Sequence, residues 1–256
     1  MPQVRLRKPK AILFDIAGTV THTTFMDKVL AAHIRRNAAT FVHNNWANGQ
    51  IQADVELMRT AAAKNKSWPQ IPPANDQAAV CDSVAKLANH LLDSSDNADC
   101  LGFAQLRFHM WFDAYAKGQL TTAIYSDVAI QMKRWRCDYD IKLFVVSHGW
   151  SEANKVFMSR TNQGDMTLLI DGYFDTKGGA WEEGASFKKL LEGQLHLSGG
   201  QGAVVLFTKT GAVARAAATA GIMPIIVTTH QKCFDALNEE EKKMAIIRTM
   251  NEVEFE

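Results

Sequence analysis

The first candidate for chemistry is a carboxylate that directly follows a short apolar run. The run Ala11–Phe14 has the length and composition of a buried strand. Asp15 comes next, and Gly18 and Thr19 then break the apolar pattern. Ligands of α/β proteins bind outside the carboxyl ends of parallel strands. Asp15 is therefore predicted to meet a ligand at such an edge.

Four short apolar runs define the elements that must position this carboxylate. They lie at residues 11–14, 141–146, 203–207 and 223–227, and helically spaced stretches separate them. Strands that alternate with helices indicate a sheet with right-handed crossovers. The sequence therefore predicts an α/β fold with a doubly wound parallel sheet, and its 256 residues suffice for one sizeable core.

The long gap between the first two runs predicts an inserted domain. Residues 22–128 carry apolar side chains at helical spacing and are expected to form a helical cap. Residues 1–21 and 129–256 are expected to form the α/β core. Near the C-terminus, Asn238 and Glu241 have the spacing of a capping box, which predicts a helix there.

Composition argues against several classes of function. The formal net charge of +1 gives no electrostatic case for binding nucleic acid, and no apolar run is long enough to cross a membrane. The four cysteines form no C-x-x-C pair, which argues against a zinc site and against a disulfide scaffold. We expect reduced thiols and a cytoplasmic protein, or an organellar one if a targeting segment has been removed.

Several motifs, in order along the chain, resemble one known family. Residues 15–19 read D-I-A-G-T, similar to the D-x-x-G-T nucleophile loop of haloacid dehalogenase-superfamily phosphatases. Residues 109–111 read H-M-W, residues 171–177 read D-G-Y-F-D-T-K and residues 236–242 read A-L-N-E-E-E-K. These blocks resemble those of the enolase-phosphatase family of methionine salvage, over nearly the whole chain.

The resemblance implies a fold, a reaction and a set of residues. Family members are magnesium-dependent phosphatases with an α/β core and a helical cap, and they convert a diketo methylthiopentyl phosphate to an acireductone. An aspartate attacks phosphorus, a serine or threonine contacts the phosphoryl oxygens, a lysine offsets charge, and a second acid holds Mg²⁺. Carried over by position, Asp15 is the ancestral nucleophile and Ser147 is the phosphate contact.

Three positions depart from the pattern of the family. Ala17 replaces the glutamate of D-I-E-G-T and cannot transfer a proton, and Trp181 stands where the catalytic lysine is expected. Lys209 replaces the metal-binding acid of the family's F-L-T-D. A cation about 4 Å from a divalent ion costs on the order of 8 kcal/mol at an effective dielectric constant of about 20. We therefore expect no metal here, and Lys209 is predicted to be the charge partner of Asp15.

The sequence favours one function and leaves two alternatives open. The favoured function is that of a catalytically inactive pseudoenzyme with a structural or regulatory role, bound to a protein partner or to a second copy of itself. The second is a divergent phosphatase acting on a small phosphomonoester such as the diketo methylthiopentyl phosphate. It would use Asp15 and Ser147, with Lys209 in place of the metal, or Mg²⁺ as in the family. The third is a module that binds phosphate or another anion without turnover.

Overall fold

A computed structural model describes residues 4–73, 75–94, 100–197 and 202–256. The chain consists of two compact units. One unit comprises Met1–Phe25 and Thr121–Glu256, and the other comprises Met26–Leu120. The first unit therefore takes in residues 22–25 and 121–128, which the sequence prediction assigned to the cap.

A parallel sheet forms the centre of the first unit. Its strands in the described residues are β2 (Ala11–Phe14), β3 (Lys142–Val146), β4 (Gly172–Phe174), β5 (Val204–Thr208), β6 (Met223–Val227) and β7 (Ala245–Ile247). Their order is β4-β3-β2-β5-β6-β7, and each neighbouring pair is parallel. Two further strands, β1 (Val4–Leu6) and β8 (Val253–Phe255), pair separately. The predicted α/β class with a doubly wound parallel sheet is confirmed.

The middle strand, β2, is buried along its whole length because side chains pack against both of its faces. On one face, Phe14 joins a core in which the ring of Trp135 stacks on Phe207 with centroids 5.2 Å apart. On the other face, Leu13 joins a second core around Phe187. The α-helices of this unit in the described residues are α5 (Ser126–Cys137), α6 (Ser151–Ser159), α7 (Gly184–Leu190), α8 (Gly211–Thr219) and α9 (Gln231–Asp235). Because both faces of β2 are buried, the carboxyl end of this strand is held in place. Asp15 is the residue that directly follows it.

The second unit is helical. Its helices in the described residues are α1 (Ala32–Asn44), α2 (Gly49–Lys64), α3 (Gln77–Asp93) and α4 (Leu101–Ala116). Helix α1 packs against α3, and α2 packs against α4. The α2–α4 contact is close because Gly102 has no side chain, and a Cβ at this position would overlap the backbone of Asp54 and Met58. Among the helices described in either unit, none is long and apolar enough to cross a membrane.

The C-terminal segment is not the predicted helix, although its capping residues behave as expected. The N–H of Glu241 donates to Asn238 Oδ1 and the N–H of Asn238 donates to Glu241 Oε2, each at 2.9 Å. Only one 3₁₀ turn, Glu241–Lys243, follows. The chain then extends as β7, because pairing with β6 satisfies its backbone.

Candidate active site

Asp15 lies at the carboxyl end of the central strand, and a neighbouring strand holds one of its two oxygens. Phe14 pairs with Phe207 across the sheet, so Asp15 and Thr208 follow side by side. The hydroxyl of Thr208 donates to Asp15 Oδ2 at 2.9 Å. Asp15 Oδ1 is buried and has no hydrogen-bond partner among the described residues. One carboxylate oxygen is thus anchored and the other is left for a ligand.

Burial is the main influence on the charge of Asp15, and it raises the pKa of this carboxyl above the ordinary value for aspartate. The hydroxyls of Thr19 and Thr208 and the positive charge and backbone N–H of Lys209 act in the opposite direction, and their combined effect is smaller. Of the two hydroxyls, only that of Thr208 has hydrogen-bonding geometry. The ionised carboxylate is therefore stabilised by any ligand that donates hydrogen bonds in place of the water that burial has removed.

The loop after Asp15 requires a glycine and brings Lys209 close to it. Gly18 has φ 89°, a left-handed conformation that favours glycine. A Cβ on Gly18 would lie 2.5 Å from Lys209 Cδ and 2.9 Å from Thr23 Cγ2. The aliphatic part of the Lys209 side chain therefore packs directly over the loop, and its ammonium group belongs to the same edge of the sheet as Asp15.

Lys209 does not form the direct ion pair with Asp15 that the sequence predicted. Lys209 is exposed, and no ion pair involves its ammonium among the described residues. Its charge still lowers the pKa of Asp15, so it acts on the carboxyl from a distance. Because the ammonium is not neutralised by a carboxylate in contact, it can contact an anionic group bound beside Asp15.

Ser147 follows β3 on the other side of Asp15, since Phe14 pairs with Val145. Its hydroxyl oxygen accepts a hydrogen bond from the N–H of Gly149 at 3.0 Å, and this short turn defines the loop. The next residue, His148, lies with Nε2 2.7 Å from Oε1 of Glu182, and both side chains are about half exposed. The loop therefore places a hydroxyl and an imidazole near the edge at which Asp15 lies.

Trp181, at the position expected for the catalytic lysine, belongs to the core. Its side chain is 3% exposed and packs on Phe187 with ring centroids 5.1 Å apart. The indole N–H donates to the carbonyl oxygen of Ser147 at 2.9 Å. Trp181 thus supports the Ser147 loop but supplies no positive charge. Ala17, on the Asp15 loop, supplies no proton donor.

Replacement of Trp181 is expected to cost stability before it affects any chemistry. Trp181→Ala should lower the free energy of unfolding by about 3–5 kcal/mol, because it leaves a cavity in the core. Trp181→Phe retains a ring against Phe187 and loses mainly the hydrogen bond to Ser147, worth about 1 kcal/mol. Urea denaturation of both variants measures the difference. Equal losses would contradict the core position of this side chain.

The residues at this edge do not fit a magnesium site. Mg²⁺ prefers several oxygen ligands in an octahedral arrangement. Asp15 has instead a cation, Lys209, close enough to lower its pKa. We therefore assign no step at this site to a metal.

Sequence reasoning missed Thr208, the residue that orients Asp15. A signal existed, since Thr208 ends a buried apolar run directly before Lys209. Its role depends on strand register, which places it beside Asp15 from a position 193 residues away in sequence. Asp15, Ser147 and Lys209 are brought together at one edge of the sheet, whereas Trp181 lies beneath it in the core.

Comparison with solved structures defines the class of fold. The UTR4 protein of Saccharomyces cerevisiae matches with a TM-score of 0.68 at 18% identity, over 94% of this chain and 98% of that one. The HAD-hydrolase YfnB of Bacillus subtilis, solved with magnesium bound, matches with a TM-score of 0.53 at 12% identity, over 96% and 97%. The chain thus has the fold of the haloacid dehalogenase superfamily of hydrolases.

Sequence comparison identifies the family within that superfamily. No family model matches the chain. Enolase-phosphatase E1 of Xenopus tropicalis is 30% identical over 71% of this chain and 71% of its own length. Enolase-phosphatase E1 of a Sulfurihydrogenibium species is 31% identical over 72% of this chain and 73% of its own length. The chain belongs to the enolase-phosphatase family, as its motifs predicted.

Proposed function

We propose that the chain hydrolyses a small phosphomonoester at Asp15, in a divergent form of its family's reaction that uses no magnesium ion. The observation that carries this proposal is the state of the Asp15 carboxylate. Thr208 holds Oδ2, while Oδ1 is buried and without a partner among the described residues. Membership of a family of phosphatases supports phosphate-ester chemistry over a purely structural role.

The reaction divides into two displacements. Oδ1 of Asp15 attacks phosphorus, the bond from phosphorus to the ester oxygen breaks, and an aspartyl-phosphate forms. The leaving oxygen takes a proton from water, because Ala17 has none to give. Water then attacks phosphorus, releases inorganic phosphate and restores the carboxylate. Lys209 offsets the charge of the phosphoryl group, and Ser147 contacts its oxygens.

A second candidate is an inactive family member that acts through a protein partner or a second copy of itself. Three observations favour it, namely the missing proton donor at Ala17, the buried Trp181 in place of a lysine, and the cation Lys209 in place of an acid. An intermediate case is a site that binds phosphate through Lys209 and Ser147 without turnover. All three candidates predict the same fold, and they differ in turnover and in phosphate binding.

Phosphate release from a panel of phosphomonoesters separates these candidates. The panel includes the diketo methylthiopentyl phosphate, and each compound is assayed with Mg²⁺ and with a chelator. We expect slow release from at least one compound at equal rates under both conditions. Release that requires Mg²⁺ would overturn the metal-free reaction. Saturable binding without release would favour the anion-binding candidate, and neither binding nor release would favour the inactive one.

A further inference from the structure

A cavity of about 220 Å³ lies within the first unit, and Asp15, Ser147 and Lys209 do not line it. It is formed by the segment after β2, the start of α5, the segment after β6 and the segment after β7. His22 and His230 join two of these segments, with their Nε2 atoms 2.9 Å apart. Thr24 N–H donates to Nδ1 of His22, which leaves Nε2 of His22 as the donor to His230. This hydrogen bond fixes one side of the cavity.

Three hydroxyls that line the cavity lack hydrogen-bond partners. The hydroxyls of Thr19, Tyr125 and Thr229 are buried, and none of them makes a hydrogen bond among the described residues. Thr229 lies near enough to affect the titration of Tyr125, but without the geometry of a hydrogen bond. A buried polar group left without a partner is unfavourable, because it has lost its hydration without gaining a hydrogen bond. Polar atoms of a bound molecule can satisfy these hydroxyls.

The cavity also carries two opposite charges that do not neutralise each other in direct contact. Asp127 accepts a hydrogen bond from the N–H of Met250 at 2.8 Å. The guanidinium of Arg248 donates to the neutral side chain of Gln231 at 3.1 Å. Both residues line the cavity, yet neither takes part in an ion pair within the described part of the chain. A ligand with one positive and one negative group could bridge them.

The rest of the cavity lining is mainly apolar, which favours a ligand that has an apolar part. Val128, Val227 and Met250 contribute to the wall. An apolar wall stabilises an apolar part of a ligand because binding removes apolar surface from water. The ligand that fits these features has an ammonium, a carboxylate and a compact apolar side chain.

We propose that this cavity binds a small zwitterion with an apolar side chain, in the manner of an apolar α-amino acid. Arg248 and the hydroxyls of Tyr125 and Thr229 bind the carboxylate, Asp127 binds the ammonium, and the apolar wall contacts the side chain. Thr19 lines the cavity and also lowers the pKa of Asp15, so the two sites are neighbours. Asp15, Ser147 and Lys209 do not line the cavity, so leucine binding and phosphate release can each fail without the other.

The test is a titration of the protein with L-leucine, followed by the ¹³C-methyl NMR signal of Met250 in the cavity wall. We expect a saturable shift of this signal. N-acetyl-leucine lacks the ammonium and leucinamide lacks the carboxylate, so both should bind about tenfold more weakly or worse. Asp15→Asn should leave leucine binding within about twofold of that of the unmodified protein, because Asp15 does not line the cavity.

Substitutions of single cavity residues test which group of the ligand each residue contacts. Arg248→Gln should weaken leucine about tenfold and leave leucinamide unaffected, and Asp127→Asn should weaken leucine and leave N-acetyl-leucine unaffected. Tyr125→Phe should weaken leucine severalfold without lowering the stability of the free protein, since its hydroxyl has no partner to lose among the described residues.

Three outcomes would overturn the proposal. The first is no saturable shift at millimolar leucine. The second is equal binding by the three cavity variants and the unmodified protein. The third is loss of binding in Asp15→Asn, which would make the cavity part of the Asp15 site. Failure of leucine to bind would leave phosphate release at Asp15 untouched, so this result bears on the cavity alone.

Discussion

Exchange of Asp15 for asparagine is expected to lower phosphate release by on the order of a thousandfold or more. The amide has nearly the same shape and its oxygen can still accept from Thr208, so the fold should persist. It cannot act as the nucleophile, and no aspartyl-phosphate can form. The measurement is the steady-state rate with the best substrate of the panel. The matched control is Asp235→Asn, which changes an exposed carboxylate whose hydrogen bond joins it to Gln231.

The pH dependence of the same rate tests the role of Asp15 as the nucleophile in a second way. Only the ionised carboxylate attacks phosphorus, so the rate should rise with pH through the pKa of Asp15. Burial holds that pKa above the ordinary value for aspartate, and the rise should therefore lie at higher pH than for an exposed aspartate. A rate unchanged in Asp15→Asn would mean that another group carries the reaction.

Exchange of Lys209 for aspartate is expected to create magnesium binding where the unmodified chain has none. A cation about 4 Å from a divalent ion costs on the order of 8 kcal/mol at an effective dielectric constant of about 20, and a carboxylate reverses that sign. Asp15 and the introduced aspartate would then offer two carboxylates at adjoining strand ends. Isothermal titration with Mg²⁺, with and without phosphate, measures the gain.

The control for this exchange is Lys209→Gln, which removes the positive charge without adding a metal ligand. It should show little or no Mg²⁺ binding, whereas Lys209→Asp should also make phosphate release sensitive to a chelator. Trp181 is best left unchanged in this experiment, because a lysine there would be placed in the core against Phe187. The absence of Mg²⁺ binding by Lys209→Asp would contradict the charge argument.

The elements that could be predicted from the sequence are those with strong local signals. The four apolar runs gave strands because buried strands in parallel sheets are continuously apolar. The segment after Asn238 was predicted as a helix from its capping spacing, and the hydrogen bonds of that cap are present. Pairing of β7 with the edge of β6 outweighed this local preference, because a sheet edge offers backbone hydrogen bonds that no local pattern reveals.

The site was only partly predictable, because its details depend on contacts between distant segments. Asp15 and Ser147 could be found from motifs, since each directly follows a strand. The role of Thr208 depends on register, and the position of the Lys209 ammonium depends on how its side chain passes over Gly18. The burial of Trp181 likewise depends on Phe187 and the Ser147 carbonyl, which the motif does not indicate.

The central claim is that Asp15 is a working nucleophile without a metal, and trapping of the phosphorylated enzyme tests it most directly. The protein is mixed with substrate in the presence of a chelator, quenched in acid and digested, and the peptide that contains Asp15 is examined by mass spectrometry. We predict that this peptide gains one phosphoryl group, and that the gain is absent in Asp15→Asn. An unmodified peptide under these conditions, or one phosphorylated only when Mg²⁺ is added, would contradict the account.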